Sequence, residues 1–228
     1  MFSTSVPFLI SHHHFFYYSF FDLFFLISIP VETVDGWPMM SPYTMLAVFT
    51  SYLLYVLKIG PELMKDRQPF QLKNIIVLYN AVQVLVSVYI VYSVSYLHKL
   101  FHCHDITRIM YYYYIAKISE VFDTIFFILR KKYSQVTFLH VYHHAMMIVA
   151  SWGILKYEPT YPTLFLRNIN SFVHAIMYTY YGLSSYPSLA KYLWWKKYIT
   201  SMQLVRFYFI YVIMGKSGGK LQIKNIAS

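Results

Sequence analysis

Residues 138–147 read FLHVYHHAMM and set His140, His143 and His144 at i, i+3 and i+4 inside an otherwise apolar run. On an α-helix that spacing puts three imidazoles on one face. A neutral imidazole serves as nucleophile, general base or metal ligand, so this run is where chemistry is expected. Three further stretches carry a related signal. KISEVFDT puts Lys117, Glu120 and Thr124 on one helical face with Asp123 beside it. NSFVHAIMYTYY sets Asn170 and His174 one turn apart, and Met177, Tyr178 and Tyr181 continue that stripe. In TSMQLVR, Thr200, Gln203 and Arg206 follow one another at intervals of three.

Each stretch also has a purely structural reading. A Lys–Glu pair neutralises itself on insertion into lipid. A lone buried histidine is usually a satisfied core residue, and tyrosines, threonine and glutamine act as polar contacts between helices. Three histidines on one face of a lipid-solvated helix, next to a helix bearing two acids and a lysine, are harder to account for in that way.

The elements that position these residues are membrane helices. The chain has 228 residues, 58% of them hydrophobic and only 12% charged, whereas a soluble domain is about a quarter charged. A net charge of +10 raises nucleic acid as a partner. The basic residues instead fall in short clusters between apolar stretches, which fits juxtamembrane loops and excludes nucleic acid. The one cysteine, Cys103, rules out an internal disulfide and a cysteine-built metal site.

A spanning helix needs about 20 mostly apolar residues. Spans are expected at 43–57, 75–97, 109–129, 136–155, 164–183 and 198–214, the first of them short. A stretch at 7–29, with His12, His13, His14 and Asp22, is long enough to be a further span. With alternating crossings, the loops at 58–73, 130–132 and 191–197 hold ten Lys or Arg. The opposite side holds seven: Lys99, Arg108, Lys156, Arg167, Lys216, Lys220 and Lys224. The first set is therefore assigned to the cytoplasm, and the histidine run begins near that face. The expectation is a polar chamber among helices, open toward the cytoplasm and coated by lipid.

Two chemistries suit such a chamber. HxxHH spacing occurs in the histidine boxes of membrane desaturases and hydroxylases, but one such box among ten histidines falls short of a complete di-iron set and leaves two or three ligands. Acyl transfer is the other. Without a usable cysteine or a GxSxG elbow, histidine is the natural nucleophile, and Lys, Asn or Gln can stabilise an oxyanion or enolate.

The motifs also resemble a family. KISEVFDT resembles the KxxExxDT motif of the ELO very-long-chain fatty acid elongases (3-oxoacyl-CoA synthases). HVYHH is similar to their HxxHH box, NSFVHAIMYTYY to their NxxxHxxMYxYY and TSMQ to their TxxQ, in the same order. WPMMSPYTM and GPELMKDRQPFQLKNIIVLYN are similar to the family's first span, loop and second span, so the resemblance covers residues from about 35 to 210.

The resemblance implies condensation of a long-chain acyl-CoA with malonyl-CoA to 3-oxoacyl-CoA, CO2 and CoA, in the endoplasmic reticulum membrane, with no metal or redox cofactor. Membrane lipid, the other enzymes of the elongation cycle and a second copy in a homodimer are the implied partners. The implied fold is all-α and polytopic, an inverted barrel of six helices with a seventh outside and a narrow acyl tunnel within. By motif, His143 is the acyl carrier, with His140, His144, His174, Lys117, Glu120 and Asp123 as further catalytic residues. Asn170, Tyr178, Tyr181, Thr200 and Gln203 are the substrate-binding set.

Departures from the family pattern shape the domain expectations. Gln203 is followed by Leu204, Val205 and Arg206 rather than by a second glutamine and phenylalanine, and EPTYPTLFLRNI stands where a glycine-rich loop is usual. The tail KSGGKLQIKNIAS is polar, so the family's last helix is expected to be missing. The chain thus divides into an atypical hydrophobic segment 1–34, an elongase membrane domain 35–214, and a short polar tail 215–228 read as a truncation. A truncated, inactive membrane protein and a histidine-box lipid hydroxylase are the alternatives to the elongase reading.

Overall fold

The computed structural model describes residues 34–100, 103–157, 160–190, 192–203 and 205. The hydrophobic stretch 7–29, Arg206 and the tail 215–228 lie outside them. Among the described residues every regular element is a helix: α1 (Pro42–Met64), α2 (Lys73–Leu100), α3 (Cys103–Ser119), α4 (Val121–Leu129), α5 (Phe138–Tyr157), α6 (Tyr161–Ser184), α7 (Pro187–Ala190) and α8 (196–203). Three of them, α1, the Lys73–Tyr96 part of α2, and α5, are long and apolar enough to cross a membrane.

The burial pattern is reversed from that of a water-soluble bundle. Leu46, Leu57, Leu78, Leu85, Phe138 and Leu139 stand exposed, whereas Asn80, Gln83, Ser87, Lys117, Glu120 and His174 are buried. An apolar exterior of this kind suits lipid, where polar side chains have nowhere to be satisfied except against one another. On α2 the inner face runs through Asn80, Gln83, Ser87, Ile90 and Val94, the spacing of a helix seam.

The short first span is a correction. Its helix runs on through Lys58 to Met64, past Pro61, whose missing N–H and ring would ordinarily end it. The backbone slips into π register over Tyr55–Ile59, where Gly60 N–H donates to Tyr55 O, and this absorbs the proline. Gly60 is required there, because a Cβ would come within 2.9 Å of Tyr55 O and 3.0 Å of Ile128 on α4.

The expected single span 109–129 is instead two helices joined at Glu120. Tyr79 on α2 donates to the Ser119 carbonyl at 3.1 Å, and Gln83 donates to Ser119 Oγ at 2.8 Å. Ser119 Oγ in turn bonds the Ala116 carbonyl at 2.7 Å. Side chains competing for carbonyls in this way break the helical ladder at that point. Helix α4 then ends in a Schellman motif: Lys131, at φ 53°, donates to Ile128 O, and Lys132 donates to Phe127 O.

Around this jointed α3–α4 rod, α5 and α1 pack on one side and α2 and α6 on the other. At the end of the bundle away from the loops at 58–73 and 130–132, residues 34–40 strap the helices together. Trp152 Nε1 donates to Met40 O, Tyr114 to Met39 O and Tyr111 to Pro38 O, and Lys156 pairs with Asp35 at 3.1 Å.

Candidate active site

The two histidine helices meet the rod at neighbouring points, α6 at Glu120 and α5 at Thr124. Lys117 Nζ lies 2.6 Å from Glu120 Oε1, and Glu120 Oε2 lies 3.5 Å from His174 Nε2 on α6. Lys117 and Glu120 are 2% and 4% exposed, so this pair is held in place by protein rather than by water. His174 Nδ1 is 2.9 Å from the Asn170 carbonyl, which can only accept, so Nδ1 carries a proton. The other ring nitrogen, Nε2, faces the Glu120 carboxylate. Asn170 is fixed by Tyr113, whose hydroxyl donates to Oδ1 at 3.0 Å.

On the other side, Thr137 accepts the His140 N–H and caps the start of α5, so the histidines fall in its first two turns. His140 Nε2 is 3.0 Å from Thr124 Oγ1, which is 3.1 Å from the Tyr52 hydroxyl on α1. The His140 and His144 rings are 4.5 Å apart, and those of His143 and His144 are 5.7 Å apart. His144 is buried, whereas His140 and His143 are half-buried and keep an accessible edge. Among the described residues no three His, Cys, Asp or Glu side chains converge at metal-ligand spacing.

Lys117, Glu120 and Thr124, expected on one face, and Asp123, expected beside it, separate into three places. Lys117 and Glu120 meet His174, and Thr124 meets Tyr52 and His140. Asp123 accepts from Tyr178 at 2.6 Å. The break at Glu120 is the cause, since a face continuous in an ideal helix does not survive a joint. Tyr181 is partly exposed, its ring 6.3 Å from that of Tyr178. Gln203 reaches Met177 Sδ at 3.4 Å, and Thr200 is exposed and stands apart from the cluster.

Sequence reasoning passed over Tyr52, Tyr79 and Gln83, which lie on other helices and have no spacing relation to the motifs, and Tyr113, one turn before Lys117 on α3, where the i, i+4 spacing was the signal available. It also counted Arg167 as a loop charge. Arg167 is buried inside α6, one turn before Asn170 on the same face, and the i, i+3 spacing was the signal available.

A jointed helix carrying a buried Lys–Glu pair, flanked by two histidine-bearing helices in a bundle with an apolar exterior, defines a polytopic membrane protein with a buried polar cluster. The model of the ELO: GNS1/SUR4 family matches residues 37–217. The chain belongs to that family. It is 41% identical over 199 residues to very long chain fatty acid elongase 4 of Homo sapiens, covering 79% of this chain and 63% of that protein. It is 42% identical over 188 residues to very long chain fatty acid elongase 5 of Rattus norvegicus, covering 76% and 63%. With elongase 5 of Xenopus laevis it shares 40% over 191 residues, covering 76% and 64%. The chain therefore spans somewhat under two thirds of the length of these relatives.

Proposed function

We propose that this chain carries the condensation step of fatty acid elongation, joining a long-chain acyl-CoA to malonyl-CoA in the endoplasmic reticulum membrane. The observation that carries the reading is that the α3–α4 rod holds both histidine helices, HxxHH on α5 through His140 at Thr124 and His174 on α6 at the Lys117–Glu120 pair. Family membership and the relatives' names support the substrate class.

In this reading His143 attacks the acyl thioester carbonyl. The C–S bond breaks, the imidazole proton passes to the CoA thiolate, and an acyl-imidazole forms. Malonyl-CoA then loses CO2, and the electron pair of the broken C–C bond becomes an enolate. Lys117 and Asn170 lie on the side where that negative charge would be stabilised. The enolate carbon attacks the acyl-imidazole carbonyl, and the departing imidazole takes back a proton, for which the His174–Glu120 pair is the nearest store. His140 and His144 orient His143, with Thr124 and Tyr52 anchoring His140. Asp123, Tyr178, Tyr181 and Gln203 shape the cytoplasmic part of the chamber. No metal or redox cofactor enters any of these steps. Other elongation-cycle enzymes and a second copy of the chain are partners to be looked for.

The test uses membranes carrying the chain, incubated with malonyl-CoA and a panel of long acyl-CoAs, with 3-oxoacyl-CoA read by mass spectrometry. Product from the parent and none from His143→Ala is the expected result. Product from both removes His143 as acyl carrier. Inserted, stable protein that gives no product with any acyl-CoA overturns the condensation reading for this chain.

A further inference from the structure

Arg167 is 5% exposed, and among the described residues its Nε and Nη1 groups have no hydrogen-bond partner. The other charged side chains buried in the bundle are compensated: Lys117 by Glu120 and Lys156 by Asp35. Among the described residues no carboxylate pairs with Arg167, whose guanidinium rests on the Tyr113 ring, 5.1 Å from its centroid. An uncompensated guanidinium inside a membrane bundle is costly, and such residues face the bundle interior or a water-filled cavity and mark a function.

Its position says which part of a ligand it meets. Arg167, Asn170 and His174 fall at i, i+3 and i+7 of α6 and share one face, the face of the reaction site. Seven residues of helix place Arg167 about 10 Å from His174 along the axis, away from the cytoplasmic loops. Side chains on a helix lean toward its N-terminus, which carries the guanidinium farther still. Tyr113 links the two levels, since Lys117 Nζ lies 5.0 Å from the same ring. The strap of residues 34–40 is held by the neighbouring Tyr114, so Arg167 sits toward the closed end of the bundle.

We propose that Arg167 is a distal anion subsite, which receives a carboxylate on the far end of an acyl chain whose thioester lies at the histidines. The substrate class is an α,ω-dicarboxylic acyl-CoA of about ten carbons, a length set by the helical rise of about 10 Å. CoA phosphates stay on the cytoplasmic side, and the malonyl carboxylate is too close to its own thioester to reach. A guanidinium is charged under all conditions and is suited to a desolvated carboxylate. The proposal rests on the condensation reading for how the chain is oriented, and its binding arm needs no turnover.

The full-length protein in lipid nanodiscs is titrated with the mono-CoA thioester of decanedioic acid, with decanoyl-CoA and with acetate, by thermal unfolding. The expected result is about tenfold or tighter binding of the dicarboxylic thioester than of decanoyl-CoA. Arg167→Met should invert that ratio, and Arg167→Lys should keep part of it. Tighter binding of decanoyl-CoA by the parent overturns the proposal whether or not the variants fold, and so does a ratio unchanged in Arg167→Met. Stabilisation by acetate equal to that by the dicarboxylic thioester shows a site for free small anions and also overturns it. Malonyl-CoA-dependent extension is measured in parallel. Its failure with every acyl-CoA refutes the condensation reading, while the binding ratio still judges the subsite.

Discussion

Glu120→Gln is the perturbation that reads the centre of the site most directly. The substitution keeps the shape of the side chain and removes its charge, leaving Lys117, 2% exposed, without a counter-ion at 2.6 Å. Breaking one side of a buried pair costs about 3–5 kcal/mol, because the remaining charge stays desolvated. His174 loses its partner at 3.5 Å as well, which places the expected loss toward the upper part of that range. Lys117→Met alone should cost a similar amount for the mirror-image reason. The double variant Lys117→Met/Glu120→Gln removes both charges and should recover most of the loss, ending within about 1–2 kcal/mol of the parent. The assay is equilibrium unfolding in mixed micelles, run as a double-mutant cycle. A double variant that loses the sum of the two single losses would refute the reasoning, since the residues would then act independently. A Glu120→Gln loss below about 1 kcal/mol would do so too, because the carboxylate would then have to be solvated.

Three further outcomes follow from the geometry. Tyr52→Phe deletes the hydroxyl that anchors Thr124 and His140, which should cost about 1 kcal/mol in unfolding and lower turnover while the protein still inserts. Tyr178→Phe leaves the Asp123 carboxylate without its 2.6 Å donor, a loss of about 1–3 kcal/mol in the same unfolding assay. Gly60→Leu drives side-chain atoms into Tyr55 O and Ile128. It should cost about 1–3 kcal/mol or straighten the π turn, and amide hydrogen exchange over Tyr55–Met64 would report the change.

Much of the site could be read from the chain alone, for reasons of periodicity. Polar residues at i, i+3, i+4 and i+7 of an apolar run must share a face, and lipid leaves that face no environment but the interior. His140, His143 and His144 on one helix, and Asn170 and His174 on another, follow from that rule. The all-helical, membrane-spanning architecture follows from an apolar composition with so few charges.

Where the chain departs from an ideal helix, the sequence reading failed. The sequence alone ends the first span at Leu57, before a loop over 58–73, yet a π turn carries α1 past Pro61 to Met64, where Gly60 lets α4 approach closely. Lys117, Glu120, Thr124 and Asp123 looked like one cluster. The break at Glu120 sends them to three different neighbours, and its cause is Tyr79 and Gln83, contributed by another helix.

By itself, then, the sequence determined the membrane class, the helical faces and the identity of the chemical groups, all of which depend on spacing along one helix. Only the tertiary structure decided which faces meet: that Glu120 stands between Lys117 and His174, that Thr124 joins Tyr52 to His140, and that Arg167 is buried against the Tyr113 ring. Those pairings join residues on different helices. Helix packing sets them, and periodicity within a single helix carries no information about the partner across the gap.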